Sequence, residues 1–570
     1  MQFASYAMIL ATGVVVAGCG GNDGGAPMSC AGAAAQASAN PVSGTTLRIT
    51  TAQAQAAGPT LASHCLIEGA MDERTSTVDG RPYAIKFRMR LPDVWNEKFF
   101  MAGGGGANGT LADATGPGPV AGFASALARG YSVIVTDSGH DAALTTDPAK
   151  GGVAAFGLDQ QARVDFGNRS YDVVTRLGKA LATSFYGRKP KHSYFTGCSE
   201  GGREAMLMTQ RFPEHYDGVV AGCPAMSTPI HQAYASLLAQ TFATLVPGQL
   251  DQFGNPLIVK AYTDADLQLV SGAILQACDA QDGLADGMVS NLAACTDAVV
   301  VPRLTALTCA GAKTASCLSA AQIAAIRTVM AGPKTSAGVQ IYAGNPWDPG
   351  IGGMNGTTFN QGFRSWWLGT YSSTSNNAIK VTLSAPLHAM VHTTPPVPLT
   401  VEQNFAWELN FNRDELMSFA SRTTTYYVTS AIDNALATST DLSRFKQNGG
   451  KLIQYIGQAD PAVSPNETIG WWSKLNTEQA GAAATFARLF LVPGMNHGSG
   501  GPATDKFDML TALENWVERG IAPDSIPASA TSPGYFGATS RTRPLCPYPS
   551  WASYKGTGDV NDAANFVCKT

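Results

Sequence analysis

Gly197-Cys198-Ser199-Glu200-Gly201 decides how this 570-residue chain is read. The pentapeptide has the G-x-S-x-G form of a nucleophile elbow. Tyr194-Phe195-Thr196 before it reads as the end of a strand, and Glu204-Ala205-Met206-Leu207-Met208 after it as the start of a helix. A sharp strand-to-helix turn lifts a serine hydroxyl clear of a sheet, and glycine on both sides removes the Cβ clashes that such a turn creates. Ser199 is the candidate nucleophile, and the Glu200 N–H a candidate oxyanion donor. Among 61 glycines such a pentapeptide also arises by chance, so its partners carry the weight.

An α/β-hydrolase orders its triad Ser, then Asp or Glu, then His. Lys451 to Ile456 reads as a buried strand running into Gly457-Gln458-Ala459-Asp460-Pro461. Ala487 to Val492 reads as another, running into Pro493-Gly494-Met495-Asn496-His497-Gly498. Both polar residues follow the C-terminal end of an apolar strand, where open parallel sheets bind ligands. His497 would take the Ser199 proton, and Asp460 would hold the imidazole tautomer. Asp460-Pro461 also suits an ordinary turn, and order and placement together favour the triad. His140 lies upstream of Ser199, in the wrong order, and is expected to be structural near the site. Phe99 to Ala102 reads as a strand feeding Gly103-Gly104-Gly105-Gly106, a backbone able to approach a ligand closely. Gly106, with Gly105 next, is the expected second oxyanion donor.

The wider pattern is α/β. Tyr83 to Leu91 alternates as an antiparallel strand near the sheet edge. Strands follow near 98–102, 131–136, 193–196 and 218–222, with helices at Tyr171 to Tyr186 and Gly202 to Phe212. This is βαβ order, hence a mostly parallel sheet flanked by helices. The pattern breaks after Pro224 and resumes at Lys451; the final helix is expected over Asp505 to Arg519. Catalytic segments 47–225 and 439–570 therefore flank an insertion at 226–438, too long for a loop, read as a lid domain. Residues 1–19 carry a short apolar run ending Val16-Ala17-Gly18-Cys19, read as a lipoprotein-type signal peptide with Cys19 as the lipid-bearing residue. Residues 20–46, rich in Ala, Gly and Ser, read as a flexible tether.

Net charge is −4 and charged residues are 14 %, so no basic face for nucleic acid is expected. Eleven cysteines point to disulfides in an oxidising compartment. The expectation is an exported protein, anchored to the outer membrane only through an N-terminal lipid, periplasmic or extracellular, and monomeric. Cys278-Asp279-Ala280-Gln281-Asp282-Gly283-Leu284-Ala285-Asp286-Gly287-Met288 packs three aspartates into a short loop. Hard oxygens there suit Ca²⁺, but the spacing is not that of an EF-hand, and on spacing alone a solvated acidic turn is the slightly better reading.

The chain resembles the tannase and feruloyl esterase family, and within it the branch that hydrolyses mono(2-hydroxyethyl) terephthalate. The resemblance runs over most of the chain after about residue 60. It rests on Gly197 to Glu204, on Gln361-Gly362-Phe363-Arg364-Ser365-Trp366-Trp367-Leu368-Gly369, on Leu491 to His497, and on Arg541 to Pro549. It implies an α/β-hydrolase fold with a lid, Ser199, Asp460 and His497 as triad, and Gly106 and Glu200 as oxyanion hole. It implies disulfides Cys30–Cys65, Cys278–Cys295, Cys309–Cys317 and Cys546–Cys568. It also implies a structural Ca²⁺ held by Asp279, Asp282, Asp286 and the carbonyls of Leu284 and Met288. The family usually joins the Cys beside the nucleophile to a Cys after the catalytic His. Here that second position is Gly498, so Cys198 either pairs with Cys223 or stays a free buried thiol.

By the same resemblance Trp366 stacks on an aromatic acyl group and Lys380 stands where the family branch uses an Arg to grip a carboxylate. Leu383, beside Ser384, and Val463 stand where it uses Phe clamps. Lys offers a point charge rather than a planar fork. The implied activity is a serine esterase for small aromatic esters such as the terephthalate monoester. Feruloyl esterase or tannase action on plant phenolic esters is the alternative. A non-catalytic surface-binding lipoprotein is the reading from another class, and the complete triad and glycine loop argue against it.

Overall fold

The computed structural model describes residues 28–116, 123–145, 152–352 and 362–570. The expected signal peptide, Cys19, the start of the tether and Gln361 lie outside the described residues.

A nine-stranded sheet organises the molecule. Its strands are β1 (Leu47–Gln55), β2 (His64–Thr75), β3 (Pro82–Pro92), β4 (Lys98–Ala102), β5 (Ser132–Thr136), β6 (His192–Cys198), β7 (Gly218–Gly222), β8 (Lys451–Gly457) and β9 (Ala487–Val492). They lie in the order β1-β2-β3-β5-β4-β6-β7-β8-β9. The first three pair antiparallel, and β3 joins β5 antiparallel. From β5 to β9 every pairing is parallel. Strands β5, β7 and β8 are apolar almost throughout and buried, as a sheet covered on both faces requires. This is the α/β-hydrolase arrangement.

The helices that position the site are α1 (Cys30–Ala39), α2 (Ser170–Tyr186), α3 (Glu200–Gln210), α4 (Ile379–Met390) and α5 (Met509–Arg519). Helix α3 starts directly after Ser199, two residues earlier than the sequence suggests. The elbow itself supplies its first turn. Between β7 and β8 the chain makes helices and loops and adds no strand to the sheet, among the described residues. Trp366 and α4 belong to this insertion.

Three expectations need correction. The tether is not loose over its second half: α1 buries Cys30, Ala33, Ala34 and Ala37 in the core and is tied to β2 through Cys30–Cys65. Small side chains that look like linker composition let this helix pack closely against α2. β3 is not near an edge, because β1 and β2 pair beyond it. The last long helix begins at Met509, not Asp505. The Asp508 side chain caps it by accepting from Thr511 N at 2.9 Å, while Lys506–Phe507 pair as a short strand with Ala528 and Ser529.

All ten described cysteines are paired. The four bridges implied by the family resemblance are formed. The open question at Cys198 closes on Cys223. No helix among the described residues is long and apolar enough to cross a membrane.

Candidate active site

Ser199 follows the last residue of β6 with φ 64° and ψ −120°, a conformation that strains any residue bearing a Cβ. Neighbours hold it there. Ser199 N donates to Gly222 O at 3.1 Å, and Ser199 O accepts from Arg203 N and Ala225 N. The flanking glycines are needed for close approach rather than for unusual φ. A Cβ on Gly197 would sit 2.3 Å from Gly201 O, and one on Gly201 would sit 2.6 Å from Gly104 O.

Asp460 and His497 follow the C-terminal ends of β8 and β9, and the sheet brings them together. His497 Nδ1 lies 2.8 and 3.0 Å from the two Asp460 carboxylate oxygens. Asp460 Oδ1 also accepts from the N–H groups of Ala462 and Val463 at 2.8 and 3.0 Å, and Asn345 Nδ2 donates to its carbonyl. Both side chains are buried. Such a carboxylate is fixed in place and selects the His497 tautomer that leaves Nε2 able to accept a proton. The contact from Ser199 Oγ to His497 Nε2 is not closed as a hydrogen bond among the described residues; such bonds commonly tighten only when substrate is bound.

The glycine loop after β4 lies across the elbow. Gly103 N donates to Thr196 O, Gly201 N donates to Gly104 O, and Asn108 N donates to Gly105 O. The last bond closes a turn in which Gly106 has φ 61°. Gly106 and Glu200 both line one small cavity with Ser199. His140 is buried behind this loop, stacked on Phe156 at 3.9 Å. Burial drops its pKa to about 3, so the ring is neutral.

The insertion roofs the same cavity with Trp366, Lys380, Leu383 and Ser384, while Val463 comes from beyond β8. Trp366 meets His497 edge-on, ring centroids 5.2 Å apart. Lys380 is 2 % exposed, and its Nζ donates to Ala462 O at 2.7 Å. Burial lowers its pKa to about 8, against the pull of Asp460, Glu467 and Glu408. Sequence reasoning missed Thr228, His231 and Gln232, which line the cavity from the segment after β7. They lie in and just after the short helix Thr228–His231, well past the end of β7 rather than directly after the strand, so the rule that marks Asp460 and His497 does not reach them. Burial and the nearby Lys380 hold His231 neutral, well below its usual pKa.

Gly498 lies against the Cys198–Cys223 bridge. A Cβ there would be 3.1 Å from Cys198 Sγ and 3.9 Å from Cys223 Sγ. The His497 loop therefore rests on this disulfide without being bonded to it.

In the aspartate loop, Asp279 accepts from the N–H groups of Asp286 and Gly287, and Asp282 from Leu284 and Ser290. Burial, with repulsion from the neighbouring aspartates, raises both carboxyls, Asp282 to about 6. Asp286 is shared with Arg543, which forms an ion pair with it. A hard dication would offset such mutual repulsion.

A sequence model of the family described as tannase and feruloyl esterase matches residues 68–569. The chain is 51 % identical over 527 residues to a mono(2-hydroxyethyl) terephthalate hydrolase of Piscinibacter sakaiensis, covering 91 % of this chain and 86 % of that one. It is 30 % identical to a probable feruloyl esterase of Arthroderma benhamiae, over 84 % and 81 % of the two chains. Among solved structures, feruloyl esterase B from Aspergillus oryzae superposes with a TM-score of 0.69 at 21 % identity, covering 95 % of this chain and all of that one.

Proposed function

Given that the chain belongs to the tannase and feruloyl esterase family and is a carboxylic ester hydrolase, we propose that it cleaves small aromatic esters through a Ser199 acyl-enzyme. The observation that carries this reading is the Asp460–His497 pair beside the strained Ser199 elbow, at one end of a cavity roofed by Trp366. Ser199 Oγ attacks the ester carbonyl carbon as His497 Nε2 takes its proton. The oxyanion accepts hydrogen bonds from the Glu200 and Gly106 N–H groups. Collapse breaks the bond to the alcohol oxygen, which leaves with the proton from His497. Water then gives a proton to His497 and attacks the acyl carbon. Collapse of the second intermediate frees the acid and returns the proton to Ser199.

The acyl ring lies against Trp366, and a distal carboxylate on it reaches Lys380, which makes a terephthalate monoester the favoured substrate. Leu383 and Val463 are smaller than aromatic clamps and leave room for cinnamate-type acids. Comparing kcat/KM for mono(2-hydroxyethyl) terephthalate and methyl ferulate tests the assignment. A preference for the terephthalate ester is expected, and a clear preference for ferulate would move the substrate to plant phenolics. The insertion over 226–438 serves as the lid. The aspartate loop holds Ca²⁺ through Asp279, Asp282, Asp286 and the carbonyls of Leu284 and Met288, bracing the lid and taking no part in the chemistry. Five disulfides support an oxidising compartment, and export as a lipoprotein through Cys19 is the route proposed.

A further inference from the structure

We propose that Glu204 is a positioning residue for the oxyanion hole, holding the loop that carries the Gly106 N–H through Gly104 and Asn108. The inference rests on the serine esterase reading above and extends it to a residue outside the triad. The loop 103–106 is four glycines in a row, and such a backbone has many conformations to lose before it presents one N–H in one direction. Something must fix it. Helix α3 does so from its second turn. Glu204 Oε2 accepts from Gly104 N at 3.0 Å, and Glu204 Oε1 accepts from Asn108 Nδ2 at 2.7 Å.

Those two residues bracket the turn closed by Asn108 N and Gly105 O, in which Gly106 stands at the first central position with positive φ. Asn108 itself takes φ 49°, a region that Asn tolerates better than most residues. The packing leaves no slack. A Cβ on Gly104 would meet Asn108 Oδ1 at 2.2 Å, and one on Gly103 would meet Glu204 Oε2 at 2.8 Å. Both oxyanion donors are thus referenced to one helix. Glu200 opens α3 directly after the nucleophile, and Glu204, one turn on, reaches back to orient the second donor.

The clamp requires a carboxylate. Gly104 N and Asn108 Nδ2 both donate to it, so a protonated oxygen faces a donor unless the Asn108 amide, whose Oδ1 has no partner, turns over. Glu204 is fully buried, and burial together with Glu200 raises its pKa to about 7. The other charged or titratable groups around it are Arg203 on its own helix, whose guanidinium pairs with Glu200, Tyr171 on α2, and Tyr216 ahead of β7.

The test is Glu204→Gln, which keeps the shape and replaces one acceptor with a donor. With a neutral aryl ester, kcat is expected to fall ~10- to 100-fold, part of the loss seen when an oxyanion donor is removed outright, with KM within twofold. The ratio of wild-type to variant kcat should be largest above pH 8 and shrink toward one below about pH 6, because protonating the wild-type carboxyl reproduces the defect. Asn108→Ala, in a loop outside the helix, should give a similar loss. The double variant should be no worse than the weaker single, as a shared path requires; Asn108→Ala alone carries the test if Glu204→Gln does not fold. Unchanged kcat in a folded variant, a rise in KM alone, additive losses, or a pH-independent ratio would each overturn the assignment. A wild type that hydrolyses aryl esters and is labelled at Ser199 by a fluorophosphonate, beside an unimpaired Glu204→Gln, sinks this inference alone. A wild type that does neither sinks the esterase reading and this inference with it.

Discussion

Lys380→Met separates recognition of the acid from the chemistry of the ester. Lys380 has three N–H donors, of which one is used by Ala462 O, leaving two for a ligand in the cavity. A hydrogen bond to a charged group is worth about 1.5–3 kcal/mol, which corresponds to a loss of about 10- to 150-fold in kcat/KM. That loss is expected for mono(2-hydroxyethyl) terephthalate and not for a neutral ester of benzoic acid. Methionine keeps the buried stem, so the fold should survive. The pH dependence adds a second signature. Burial moves Lys380 from 10.5 to about 8, so the ammonium is present below that value and lost above it. For the carboxylate substrate, wild-type kcat/KM should fall above about pH 8, while the neutral ester shows no such limb and the variant shows it with neither ester. Initial rates on both esters between pH 6 and 10 give the answer. Equal losses on the two substrates, or the same alkaline limb for both, would refute the carboxylate role of Lys380.

Other perturbations test the scaffold. Exhaustive chelation should remove one calcium per chain and lower the Tm; a ligand at a hundred times its Kd contributes about 2.7 kcal/mol. Metal analysis with differential scanning calorimetry reads both, and unchanged stability and metal content would remove the site. Cys223→Ser should destabilise the chain by about 2–5 kcal/mol, read by denaturant unfolding. Adding Gly498→Cys to that variant should restore a bridge to Cys198, because the new Cβ would start 3.1 Å from that sulfur. Non-reducing peptide mapping detects the new link, and a free Cys198 in the double variant would count against the packing described.

The parallel half of the sheet was legible because its strands are short apolar runs, each followed by the residue that matters. Asp460 and His497 could be found from that rule alone, and Gly106 from a glycine run in the same kind of position. The antiparallel β1 and β2 were not found. Leu47–Gln55 is half exposed and rich in Ala, Gln and Thr, and only pairing with β2 makes it a strand. Helix α1 was hidden for a related reason, since its order comes from a disulfide and from packing that composition does not encode. The partner of Cys198 depended on how closely β6 and β7 run together, their ends in register from Cys198 to Gly222. His231 and Gln232 are not legible from that rule because a loop and a helical turn separate them from the end of β7.

A fluorophosphonate probe bears most directly on the claim that Ser199, Asp460 and His497 work as one unit. Intact-mass and peptide analysis should find a single adduct, on Ser199, formed quickly in the wild type, far more slowly in His497→Ala, and not at all in Ser199→Ala. An adduct on another residue, or ester hydrolysis persisting at the wild-type rate in Ser199→Ala, would contradict the account.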